Sequence, residues 1–115
     1  FRSRQGDLDE TLRRLAALEN RFPESFEIPF YRGVCLLYLN RPGAAGLLAR
    51  ARDLGSESQT AEACWYLALA HLQDGSAGRA RPLLNRLCGT VSPHSDSACG
   101  ILRDLSAVRF TATGR

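Results

Sequence analysis

Apolar residues along this chain recur at helical intervals, not in alternation. Leu8, Leu12, Leu15, Leu18 and Phe22 line one helical face, Asp7 and Glu10 have the spacing of a capping box, and Pro23 stops the run. A second helix is predicted from near Pro29, which suits a first turn, to the turn cluster Asn40-Arg41-Pro42-Gly43. A third spans Ala44 to Leu54, with Leu47, Leu48, Ala51 and Leu54 inward and Gly55 as its stop. Ser56 and Gln59 form another capping box, opening a fourth helix that runs to about Gln73 and stops at Gly75. Ser76 can cap a fifth, with Ala80, Leu83, Leu84 and Leu87 inward, Pro82 as a weak point and Gly89 as its end. Ser95 or Asp96 can cap a last helix to about Ala107, and Phe110 to Arg115 reads as a frayed tail. No strand pattern is predicted, so the fold class is all-α.

The pattern also repeats at long range. Tyr31, Val34, Cys35 and Tyr38 have the spacing of Cys64, Leu67, Ala68 and His71, 33 residues on. Ala98, Ile101, Leu102 and Leu105 follow after a further 34. Such a period marks helix pairs that stack and bury a shared core, since no single pair can bury its own apolar stripe. The expected organisation is one domain over 1–115, made of a half repeat at 6–23, repeats at 28–55 and 60–89, a terminal helix at 95–107 and a tail at 108–115. Small residues at Cys35, Ala44, Ala68 and Ala80 are expected to let helices approach. Tyr31, Tyr38, Leu48, Leu67 and Leu84 are expected to fill the space between them.

In type and spacing these residues resemble the tetratricopeptide repeat. In that family the first helix carries Trp-x2-Leu-Gly-x2-Tyr and the second Ala-x3-Phe, followed by Pro. The middle repeat here reads Cys64-x2-Leu67-Ala68-x2-His71, then Ala80-x3-Leu84 and Pro93. The one before reads Tyr31-x2-Val34-Cys35-x2-Tyr38, then Ala44-x3-Leu48. The chain opens on a second half-repeat, Gly6-Asp7-Leu8, Thr11-x3-Leu15 and Pro23. Trp65 stands one residue past the family's Trp position, and His71 replaces its aromatic residue. The resemblance implies a short right-handed solenoid that binds a protein or peptide segment in its groove, without catalysis.

If Tyr31 and Tyr38 face the core, Arg32, Leu36, Leu39 and Asn40 face that groove, with Trp65, Leu69, Leu72 and Gln73 one repeat on. The last helix adds Cys99, Arg103 and Ser106. The partner-binding candidates are therefore Arg32, Leu36, Asn40, Trp65, Leu69, Gln73 and Arg103. Two Arg flanking a Trp suit a segment with a carboxylate. The opposing reading packs Trp65 between helices and leaves both Arg solvated. The Lys/Asn set with which some tetratricopeptide proteins clamp a C-terminal carboxylate is absent, so that activity is not carried over.

Composition changes this picture little. A hydrophobic share of 44% with 23% charged residues is ordinary for a globular domain, and no apolar run is long enough to span a membrane. All 15 basic residues are Arg, which points to a GC-rich, bacterial coding sequence. A net charge of +3 is mild, and no nucleic-acid partner is expected, although Arg50, Arg52, Arg79, Arg81 and Arg86 gather on the second helices. Enzyme activity is not expected: no nucleophile elbow, phosphate loop or His-Glu-x-x-His motif is present. Cys88, His94 and Cys99, with Asp96, could converge, but their spacing matches no common zinc pattern, so no metal or cofactor is expected. Cys88 and Cys99 flank one loop and are open to either a bridge or two free thiols. The chain opens on Phe1-Arg2-Ser3-Arg4 without Met, as expected of a piece of a longer protein whose compartment the sequence leaves open. It also looks like the helical-repeat region that follows a membrane anchor in some bacterial envelope regulators. The alternative to partner binding is a structural or self-association role, with two copies pairing through Leu8, Leu12, Leu15 and Phe22.

Overall fold

A computed structural model describes the backbone of residues 4–113 and the side chains of 5–107. Six helices follow in order: α1 Arg4–Glu19, α2 Glu27–Tyr38, α3 Ala44–Leu54, α4 Glu57–Gln73, α5 Ala77–Cys88 and α6 Ser95–Thr113. The described residues contain no strand. Each helix packs on the next, and α2 also touches α4. No helix among the described residues is long and apolar enough to cross a membrane.

The ends follow local chemistry. Ser56 and Gln59 form the expected reciprocal capping box at the start of α4. α2 and α4 end in the same motif. Asn40 (φ +58°) and Gly75 (φ +79°) turn left-handed, which brings the Arg41 N–H to the Leu36 carbonyl and the Ser76 N–H to the His71 carbonyl. These bonds satisfy carbonyls that the helix leaves open. Three expected ends move. α1 begins at Arg4, so Asp7 lies inside its first turn, where the helix dipole favours a carboxylate. Ser76 makes no side-chain cap. α6 runs past Ala107 to Thr113, a stretch that no Gly or Pro interrupts. The tail side chains from 108 onward lie outside the described residues.

Two core clusters fill the space between helices. One joins α2, α3 and α4 through Phe26, Phe30, Ala44, Leu48, Ala51, Ala63, Leu67 and Ala70. The other joins α4, α5 and α6 through Cys64, Ala68, Ala80, Leu84, Leu87 and Ala98. Burial recurs, but not at the period that residue types alone suggest. Ile28, Ala63 and Ala98 occupy matching buried sites 35 residues apart on α2, α4 and α6. Ala44 matches Ala80 and Leu48 matches Leu84, 36 apart on α3 and α5, and Leu8 and Leu12 precede them by 36 on α1. The left-handed stops at Asn40 and Gly75 are likewise 35 apart.

This register corrects one expectation with consequences. Tyr31 and Tyr38 are not core fillers: they are 51% and 69% exposed. Phe30 and Gly33 take their place. A Cβ at Gly33 would lie 2.6 Å from Leu48 Cγ, so α2 and α3 meet there closer than any side chain allows. Cys35, Ala44, Ala68, Ala80, Leu48, Leu67 and Leu84 are buried as expected.

Candidate interaction face

The turn of α2 that exposes Tyr31 and Tyr38 carries Arg32 and Leu36 in another direction. The Arg32 guanidinium pairs with Glu19 at the end of α1, and Glu19 also takes Arg50 Nη1 at 2.9 Å. One carboxylate thus ties α1 to α2 and α3. The Arg32 Nε atom is buried without a partner, so this side chain is committed to the interior edge and is not a free groove group. Leu36 packs against the first core cluster beside Gly43. Asn40 is exposed, but its backbone ends α2.

On α4 the sequence-predicted residues divide. Trp65 and Leu72 pack against the second cluster, toward α5 and α6. Tyr66 packs toward α2 and α3. Between these flanks Leu69 and Gln73 share the remaining strip with Glu62, at helical intervals of seven and four. Gln73 Nε2 donates to the Leu37 carbonyl at 3.2 Å, which links this strip to the end of α2. Arg103 is exposed on α6 one turn beyond Cys99, which is disulfide-bonded to Cys88 with Cα atoms 4.9 Å apart. Arg103 therefore shares the Cys99 side of α6, the side bonded to α5. Arg32, Trp65 and Arg103 do not form one line: one faces α1, one α6, and one the α5 flank.

What the fold assembles instead is a run of rings. Phe26 stacks on Phe30 at 4.9 Å between centroids. Phe30 meets Tyr31 edge-on at 5.1 Å and Tyr66 at 5.5 Å. Tyr66 meets His94 at 6.4 Å, and His94 lies flat on Trp65 at 4.9 Å. His94 comes from the α5–α6 loop, which the Cys88–Cys99 bond closes at its base. Its Nε2 lies 2.5 Å from Glu62 Oε2. Four of these rings, those of Phe26, Phe30, Tyr31 and His94, border a cleft of about 380 Å³ whose wall also includes Glu62 and Pro93. The Tyr66 hydroxyl is held above its ordinary pKa, first by burial and then by Tyr38, Glu62 and Tyr31. Three hydroxyls and a carboxylate thus share one electrostatic neighbourhood.

Charge divides by helix. α2 and α4 carry Glu27, Glu57 and Glu62, and their single Arg, Arg32, is turned to Glu19. α3 and α5 carry Arg50, Arg52, Arg79, Arg81 and Arg86 against Asp53. A larger cavity of about 680 Å³ lies between the start of α4 and the end of α5. Four of its hydroxyls already serve the backbone: Ser56 caps α4, Thr60 donates to the Arg52 carbonyl, Thr90 donates to the Arg86 carbonyl and Ser92 accepts from the His94 N–H. Cys64 lines it, but burial raises that thiol's pKa in spite of Arg52 and Arg86, which keeps it protonated and poorly nucleophilic. The ring-lined cleft is therefore the better candidate site.

The sequence pattern does not mark Tyr31 and Tyr38 as surface residues or Tyr66 and Glu62 as site residues, and it brings in His94 only beside Cys88 and Cys99 as a metal ligand. The 35-residue spacing of Tyr31 and Tyr66 was the available signal. Among the described residues no three His, Cys, Asp or Glu side chains converge as a metal site. Comparison with family models, curated proteins and solved structures finds no match for this chain.

Proposed function

We propose that this domain is a non-catalytic protein-interaction module of tetratricopeptide-like, right-handed build. It takes an extended segment of a partner along the α2–α4 face. The supporting observation is the placement of Tyr31 and Tyr38 in the open on α2, with Tyr66, Leu69 and Gln73 beside them on α4. Exposed tyrosines over a rigid helical base give large contact area at low entropic cost, and Tyr is enriched among the residues that dominate binding energy. The Cys88–Cys99 bond supports a location outside a reducing cytoplasm.

A second reading is self-association through the first helix, favoured by Leu18 and Phe22, both more than a third exposed. Both readings meet one experiment. The domain and a Tyr31→Ala/Tyr38→Ala variant serve as baits for affinity capture, with circular dichroism to show that both fold alike. Partners held by the wild type and lost by the variant are the expected result. Identical captures by both would refute the face, and a wild-type dimer in sedimentation that Phe22→Asp dissociates would favour self-association.

A further inference from the structure

We infer that the ring-lined cleft holds a cationic side chain, an arginine or a lysine, of the partner segment. The inference rests on the interaction-module reading and adds the chemistry of the ligand. Aromatic faces carry a negative quadrupole and attract guanidinium or ammonium groups within about 6 Å of the ring centroid. Here Tyr31 stands in the open at the cleft, 51% exposed, and Phe30 meets it edge-on at 5.1 Å from the core side. Glu62 supplies a full negative charge at the same wall.

His94 makes that carboxylate a fixed feature. With Nε2 at 2.5 Å, the imidazole donates to Oε2 of Glu62 and leaves Oε1 to accept from a ligand. Stacking on Trp65 and the disulfide at the base of the loop hold His94 in place. No Arg borders the cleft, and the basic group at Glu62 is the His94 imidazole. A cavity of about 380 Å³ fits one long side chain and not a folded element. The residues next to the cation would run along α2 from Tyr31 to Tyr38, seven residues or about 10 Å of helix. The arginine-rich outer helices α3 and α5 repel such a segment, which leaves the α2–α4 face as the side a basic strand approaches.

The test uses a short blocked peptide of alternating alanine and arginine, its citrulline counterpart of the same shape without charge, and nitrogen-15-labelled domain near pH 7.5. The arginine peptide should shift the amides of Tyr31, Glu62 and His94 and the Trp65 indole. The citrulline peptide should leave them in place. Glu62→Gln, which keeps the side chain's shape and its bond to His94, should weaken the arginine peptide by about tenfold. Equal shifts from both peptides, no binding of the arginine peptide, shifts confined to α1, or unchanged affinity in Glu62→Gln would each overturn the inference. Should Tyr31→Ala/Tyr38→Ala still lose its captured partner in those cases, the module reading stands and only the cationic ligand falls.

Discussion

The two successive helix pairs, α2–α3 and α4–α5, bury the same positions with different material. Phe26 and Phe30 in the first pair stand where Ala61 and Trp65 stand in the second, 35 residues on. Across the interface the sizes reverse: Ala51 in α3 matches Leu87 in α5, 36 residues on, and both are buried. Phe26 and Ala51 belong to the first cluster, and Leu87 and Ala61 to the second. Close packing is thus preserved as a sum of volumes, while identity at each position drifts. The pairs therefore resemble one another in burial and not in residue names.

The sharpest test is the site at which the two pairs agree. Leu48 and Leu84 are both fully buried at equivalent positions of α3 and α5. Leu48→Ala and Leu84→Ala should each cost about 2–5 kcal/mol and agree within about 1 kcal/mol, read from urea unfolding midpoints. A Leu84→Ala cost near zero would break the comparison and leave the first cluster as the sole core.

Next comes the site at which the pairs differ in size. Gly33 matches Ala68, which carries a Cβ at the same site, whereas a Cβ added at Gly33 would lie 2.6 Å from Cγ of the buried Leu48. Gly33→Ala should destabilise by about 1–3 kcal/mol, because Leu48 is hemmed in and cannot yield. Gly46 offers the control: a Cβ there meets nothing within 4 Å, so Gly46→Ala in the first turn of α3 should stabilise, by at most about 1 kcal/mol. Opposite signs from the same substitution, read as melting-temperature shifts, separate close approach from helix propensity. Equal signs would mean that α2 and α3 do not meet at Gly33.

These residues also show what the sequence made legible. The limits of α3, the Ser56–Gln59 cap, and the burial of Ala44, Ala80, Leu48 and Leu84 follow from local spacing and side-chain size. The register between the two helix pairs does not. Matching Tyr31 with Cys64 satisfies apolar spacing as well as matching it with Tyr66, because a helix face two residues away still shows apolar side chains. Helix stops discriminate better: Asn40 and Gly75 both need a left-handed backbone, and they fix the 35-residue shift. Spacing alone places Tyr31 and Tyr38 inward, because a tyrosine serves equally as filler or as surface. The ring run was hidden further, since His94 reaches Trp65 from a loop 29 residues away in sequence.

The smallest expected effect concerns Leu36 and its counterpart His71, 35 residues on. Leu36 packs against apolar neighbours. His71 is half-buried near the end of α4, and burial holds its pKa below the ordinary value; Arg79 adds to this, Asp74 opposes it and Arg52 adds again. The folded state thus prefers the neutral ring. In the unfolded chain His71 takes up a proton near its ordinary pKa of about 6.5. Its contribution is fully present above that value, falls as pH drops below it, and levels off once the folded-state pKa is passed. His71→Leu installs what the first pair already has and removes this dependence. The stability difference between wild type and His71→Leu should therefore change between about pH 7.5 and pH 5 in the direction that favours the leucine variant at low pH. A difference that stays flat across that range would show that the imidazole gains no cost from its surroundings, and that the second pair treats this position as solvent.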